Sequence, residues 1–137
     1  MTKKRGIVIH CSDSPQGRGD NAATIDRWHK ERGFKMIGYH YVILEDGTVE
    51  VGRKLGESGA HTIGYNHYTG ICLIGRDTFT EAQFKRLALL VQNLMDSQDI
   101  DPEDVIGHYQ VAAKTCPNFD VTKFKEDYNI RYAISSH

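Results

Sequence analysis

The chain has no apolar run approaching the roughly 20 residues that a membrane span requires, nor the apolar stretch of about 7–15 residues that marks a secretory signal. A membrane-inserted protein is excluded on that reading, and synthesis in the cytoplasm is expected. An excess of one charge sign is also lacking: 17 Lys and Arg stand against 18 Asp and Glu, for a net charge of -1. Nucleic-acid binding through a broad basic surface is therefore not expected. The Lys3-Lys4-Arg5 start is too short for a targeting or binding tail. Cysteine is scarce, and its count of three is odd, which suits free thiols or a metal ligand better than a disulfide framework. Internal repeats, low-complexity tracts and Pro/Ser-rich linkers are missing too, so residues 1–137 read as one domain. A chain of 137 residues can bury a core without staples, so a metal here would serve chemistry rather than folding.

What is present alternates between strand and helix patterns. Gly6 to His10 is a short buried strand ended by Ser12-Asp13-Ser14-Pro15. Residues 21–32 carry Ile25, Trp28 and Arg32 at helical spacing, with Gly33 where a C-terminal cap belongs. Tyr39–Leu44 and Thr48–Gly52 form two strands around the turn Glu45-Asp46-Gly47. Ile71–Gly75 is another buried strand. Thr80 and Gln83 then make a capping box for a helix with the apolar stripe Phe84, Leu87, Val91 and Leu94. Val105-Ile106 is a short last strand leading to His108, and Asp120 caps a final helix. The pattern predicts an α/β fold, a central mixed β-sheet flanked by helices. Residues 53–70 and 109–119 fit no element and are rich in Gly, His, Asn, Lys or Cys, which marks them as functional loops.

Three residues stand out as potential metal ligands. His10 ends the first strand, His108 follows the last one, and Cys116 lies eight residues further on. Catalytic zinc takes three protein ligands from imidazole nitrogen, thiolate sulfur or carboxylate oxygen, and keeps a fourth position open. His10, His108 and Cys116 would make such a set, although a lone histidine at a strand end is more often a hydrogen-bonded structural residue. Side-chain alternation along the strand turns Cys11 away from whatever His10 binds. Cys72, inside an apolar run, reads as a small core residue.

Six blocks occur in order: Ile9-His10-Cys11-Ser12, Gly38-Tyr39-His40-Tyr41-Val42-Ile43, Asp46-Gly47-Thr48-Val49-Glu50, Gly59-Ala60-His61, Gly64-Tyr65-Asn66-His67, and His108 through Lys114 to Cys116-Pro117. Together they resemble the type 2 N-acetylmuramoyl-L-alanine amidases, a family that includes short phage lysozymes with amidase activity (endolysins) and to which peptidoglycan-recognition proteins are related. The resemblance covers residues 6–128.

The resemblance implies an amidase-like fold, one Zn2+ per chain held by His10, His108 and Cys116, and catalytic roles for Tyr39 and Lys114 beside the metal. A protonated lysine offers donors and no lone pair, so Lys114 suits an oxyanion and not a metal. His61 matches the family's Ala-His pair and is expected to bind substrate or the leaving group, a structural loop histidine being the alternative, with Asn66 bracing its loop. His29, His40 and His67 are expected to be structural. The sequence places no carboxylate base beside the metal; Glu57 is the nearest guess. The implied reaction is hydrolysis of the amide between N-acetylmuramic acid and L-alanine in bacterial peptidoglycan. The protein is expected to be a monomeric phage endolysin, made in the host cytoplasm and acting on the wall after membrane permeabilisation; a bacterial recycling amidase is the alternative. A recognition module that binds without cutting would lack a ligand, and here the set is complete. RNA polymerase binding through an N-terminal tail is not expected, because only nine residues precede His10.

Overall fold

The computed structural model describes residues 4–131. His137 and Lys3, the first residue of the basic start, lie outside the described residues. Five strands, β1 (Ile7–Cys11), β2 (Tyr41–Ile43), β3 (Val49–Val51), β4 (Thr69–Leu73) and β5 (Val105–Gly107), form one sheet in the order β3-β2-β4-β1-β5. β1 pairs in parallel with β4 and β5, β2 pairs in parallel with β4, and β3 is antiparallel to β2. The helices are α1 (Ala22–Glu31), α2 (Glu81–Gln98) and α3 (Val121–Asp127). The predicted mixed sheet with flanking helices is therefore present.

Each helix starts where its polar cap stands. Asn21 Oδ1 accepts from the Thr24 amide, and the Thr24 hydroxyl in turn accepts from the Asn21 amide. Thr80 and Gln83 make the reciprocal pair at α2, and Asp120 Oδ1 accepts from the Lys123 amide at α3. Gln83 does more than cap. It is fully buried, and its Nε2 donates to the carbonyls of Ile43, the last residue of β2, and Ile74, just past the end of β4. One side chain thus fastens α2 to two neighbouring strand ends.

The two faces of the sheet have different coverings, and strand alternation decides which residues go where. Ile7, Ile9, Ile43, Ile71, Leu73 and Val105 face α2 and α3, packing on Leu87, Val91, Leu94, Val121 and Phe124. The other face carries two smaller clusters. Val42 and Cys72 pack with Ile25 of α1, while Val8 and Ile106 pack with Tyr68. His10, opposite Cys72 in the β1/β4 register, stands between them. Because α1 covers only the β2/β4 side, the irregular segment 59–68 lies over the rest of this face.

Two expectations need correction. β4 begins at Thr69, two residues before the apolar run suggested, because Gly70 belongs to the strand and pairs with Val8. Its carbonyl accepts from the His40 amide and its own amide donates to His40 Nδ1; its missing side chain made it look like loop. In α1 the buried residues are Ile25 and His29, with Trp28 half-buried and Arg32 exposed at the C-cap. The buried stripe therefore includes a histidine that apolar periodicity alone would not select.

Candidate metal centre

His10 is buried at the carboxyl end of β1, and His108 opens the turn that follows β5. In parallel sheets, ligands gather at the carboxyl ends of the strands, where the connecting loops leave. Cys116 is brought back to the same place by the loop after His108: the Tyr109 amide donates to the Cys116 carbonyl at 2.9 Å. The ligand atoms of His10, His108 and Cys116 all lie within 4.8 Å of one another. His10 Nδ1 is 4.0 Å from Cys116 Sγ, and the His10 and His108 rings are 4.6 Å apart between centroids. Tetrahedral zinc, with bonds of about 2.0–2.3 Å, separates its ligand atoms by roughly 3.3–3.6 Å. A contraction of under an ångström would bring His10 and Cys116 to that spacing, and a His₂Cys set is of the right chemical kind. The residues fit zinc. Among the described residues no other group of three His, Cys, Asp or Glu side chains converges in this way.

The electrostatics favour a metal over protons. Burial first, and then the neighbouring His61, His108 and His29, hold the pKa of His10 well below the usual imidazole range. Burial, assisted by the charge of Lys114, lowers that of His108. Both rings are neutral at pH 7 and have a lone pair to offer. The Cys116 thiol is pushed up by its contact with the Cys11 thiol and by burial, so a thiolate there requires a cation beside it. The Cys11 amide already donates to Cys116 Sγ at 3.0 Å, which suits a thiolate ligand.

This geometry corrects the expectation for Cys11. Its thiol touches Cys116, because Cys116 lies off the end of β1 rather than over one face of it. The amide and carbonyl of Cys11 also reach Cys116 Sγ, the carbonyl at 3.8 Å. Alternation separates His10 from Cys11 across the sheet, yet a group at the strand terminus can meet both. Cys72 is fully buried in the core, as its apolar setting implied.

Tyr39 and Lys114 flank the cluster. The Tyr39 ring centroid is 4.9 Å from that of His10. Burial, and then the nearby sulfurs of Cys72, Cys116 and Cys11, raise its pKa well above the normal phenol value, so it keeps its proton. Lys114 is exposed and lines two openings: one of about 560 Å³ shared with His108, His61 and Arg32, and one of about 1020 Å³ shared with Tyr109, Asn118 and Phe119. The larger opening lies beside the metal cluster and contains none of the three ligands.

His61 lies at the wall of the smaller opening, but both of its ring nitrogens have partners within the protein. Nδ1 is 3.0 Å from His10 Nε2 and 2.9 Å from Thr62 Oγ1, and Nε2 is 2.9 Å from the Tyr68 carbonyl. Burial lowers its pKa to about 4. Asn66 braces this loop, its Oδ1 accepting from the amides of His61 and Thr62. His29 accepts from the Gly38 amide, and His40 spans from the Gly70 amide to the Glu57 carbonyl. His67 makes ring contacts with Tyr65 and Tyr68. Glu57 meets His40 through its backbone, and its side chain is exposed. Sequence reading gave no role to Thr62, a buried polar residue 3.2 Å from His10 Nε2.

The profile of the N-acetylmuramoyl-L-alanine amidase family matches residues 1–119. The chain belongs to that family. The amidase is 36% identical to the endolysin of Escherichia phage T7 over 129 residues, covering 88% of this chain and 84% of the relative. It is equally similar, over the same shares, to the endolysin of Enterobacteria phage T3. Among solved structures it resembles the N-acetylmuramoyl-L-alanine amidase LysC from Clostridium intestinale URNW. That match has a TM-score of 0.80 and 32% identity, and covers 90% of the amidase and 83% of LysC. Drosophila PGRP-LB, a peptidoglycan-recognition protein, superposes with a TM-score of 0.78 at 25% identity, over 96% of the amidase and 86% of that chain.

Proposed function

We propose that this chain is a zinc-dependent peptidoglycan hydrolase of the endolysin kind, cutting the amide between N-acetylmuramic acid and the L-alanine of the stem peptide. The observation that carries the reading is the convergence of His10, His108 and Cys116 in a member of the amidase family, with Tyr39 against His10 and Lys114 at the cleft. The endolysin role draws on similarity to the phage T7 and T3 endolysins, over more than four-fifths of each. It entails synthesis in the host cytoplasm and access to the wall once the membrane is permeabilised. Among the described residues no helix is long and apolar enough to cross a membrane. The whole chain would act as one catalytic domain and as a monomer.

His10, His108 and Cys116 would hold one zinc ion. Bound there, zinc supplies a Lewis acid for the amide carbonyl and lowers the pKa of a water toward about 7. Lys114 brings a flexible ammonium to the rim of the cleft, where it donates to the oxyanion that develops on the carbonyl oxygen. Tyr39 stays a protonated phenol at neutral pH, so it acts as a donor, to the attacking water's oxygen or to the departing alanine nitrogen. The neutral state of His10 and His108 keeps the ligand set from competing with protons at pH 7.

Metal analysis joined to mass spectrometry of digested peptidoglycan tests the proposal. About one zinc per chain is expected, with release of intact stem peptides bearing a free L-alanine amine and with glycan strands left whole. Full activity after complete metal removal would overturn the zinc assignment, and new reducing ends without free alanine amines would overturn the amidase reading.

A further inference from the structure

We infer that His61 is a positioning residue that fixes which nitrogen of His10 faces the metal, and that the bare Cα of Gly70, with that of Gly59, makes room for its ring. The inference rests on the zinc reading above and adds to it the group that sets the ligand's orientation. A carbonyl oxygen only accepts hydrogen bonds, so the Tyr68 carbonyl, 2.9 Å from His61 Nε2, requires the hydrogen of the neutral ring on that nitrogen. His61 Nδ1 is then a bare lone pair. It faces His10 Nε2 at 3.0 Å, and two lone pairs at that distance would repel. His10 Nε2 must therefore carry a hydrogen, given to His61 Nδ1 or to Thr62 Oγ1 at 3.2 Å. Thr62 can relay it, because its own hydroxyl lies 2.9 Å from His61 Nδ1. Every hydrogen then points one way, from His10 through Thr62 and His61 to a fixed backbone carbonyl. What remains to His10 is a lone pair on Nδ1, the atom that faces Cys116 Sγ. Metal-ligating histidines commonly have their second nitrogen held in this manner.

The surroundings of His61 are built for the ring. A Cβ placed on Gly59 would come within 2.5 Å of His61 Cδ2, and one placed on Gly70 within 2.7 Å of the same atom. Gly70 stands level with Val8 on β1 and, through it, with Ile106 on β5, and its missing side chain leaves the sheet face bare where the ring lies. Asn66 holds the loop at both the His61 and Thr62 amides, so the ring and the hydroxyl are presented as one unit. Both ring nitrogens of His61 are thus engaged, and its part in the reaction is exerted through His10 rather than on substrate.

Two measurements on the full chain test this. Long-range ¹H–¹⁵N spectra of the wild-type protein, with and without zinc, should place the His61 hydrogen on Nε2, and that of His10 on Nε2 in the zinc-loaded form. A His61 hydrogen on Nδ1 would overturn the inference. Zinc affinity, read by competition with a chelating dye, should fall about 10–100-fold in His61→Ala. It should recover to within a few-fold in His61→Asn, whose amide oxygen reaches the place of Nδ1. Unchanged affinity in His61→Ala, or an asparagine variant no better than the alanine one, would also overturn it. Should His61→Ala fail to fold, the wild-type spectra still decide. If the wild type itself holds no zinc, the ligand assignment has failed, and the spectra of the metal-free protein judge the His61 arrangement separately.

Discussion

At the scale of single residues, the ligands and the proposed catalysts differ in what they can offer, and that difference is measurable. Cys116→Ala removes a thiolate, so zinc content and amidase activity should fall together. Lys114→Ala and Tyr39→Phe remove donors, and both variants should keep zinc. Lys114→Ala should lose on the order of 10²–10³-fold in rate, as for a lost oxyanion donor; Tyr39→Phe should lose less, since water can take the place of one hydroxyl. Zinc loss in either variant would move that residue into the metal shell, and near-normal rates in both would refute the assigned roles. The histidines also carry a pH signature. Burial lowers the pKa of His29 and His40, and takes His61 to about 4, against an unfolded value of about 6.5. The unfolded chain therefore binds these protons first. The metal-free fold should be at full stability above about pH 6.5 and lose it progressively down to about pH 4, with His61 alone accounting for about 3 kcal/mol. Thermal unfolding of metal-free protein across this range checks it; a midpoint that rose on acidification would contradict the assigned burial. The ligand set was legible in sequence because residue types and order carried the family resemblance. Thr62 was not, since a threonine's value as a relay exists only once the fold sets it against His10.

At the scale of elements, local signals were read well wherever the chain itself contains both partners. Thr80 and Gln83 are three residues apart, so their mutual capping needs no tertiary information, and the structure has it. Gly70 is the opposite case. Its place in β4 depends on pairing with β1, distant in sequence, and on a ring from residue 61 that fills the space above it. Apolar periodicity has no term for a strand residue selected for having no side chain. Gln83 combines both kinds of information. The cap was foreseeable, while the two carbonyls it satisfies belong to residues brought there by the sheet. Gln83→Ala should therefore cost more than a surface cap. The Ile43 carbonyl keeps the Ile74 amide, so loss of the cap together with a buried Ile74 carbonyl left without the Gln83 donor should destabilise the fold by about 2–4 kcal/mol. Urea unfolding would show this as a lower midpoint at unchanged slope. A cost below about 1 kcal/mol would mean that water or another side chain replaces the amide.

At the scale of the whole molecule, the sheet separates two tasks. One face is closed by α2 and α3 and supplies the larger apolar core; the other is left partly open by α1 and holds the metal cluster and its loops. The basic start of the chain belongs to neither task. Lys4 is exposed and pairs with Asp104 at 2.9 Å and Asp101 at 3.7 Å, beside the short 3₁₀ turn Pro102–Asp104 that precedes β5. Asp104 also accepts from the Tyr68 hydroxyl at 3.0 Å, so part of its hydrogen bonding survives without Lys4. Removal of residues 2–5 should then leave amidase activity on intact peptidoglycan nearly unchanged. It should lower the thermal midpoint slightly, by an amount that shrinks as salt rises, because an exposed ion pair is screened. Tyr68 links this corner to the centre, since its carbonyl is the acceptor for His61 while its hydroxyl holds Asp104. If the truncated protein kept its fold but lost zinc affinity or most of its rate, the Lys4–Asp104–Tyr68 contacts would be transmitting to His61, and the separation of the two tasks would be wrong.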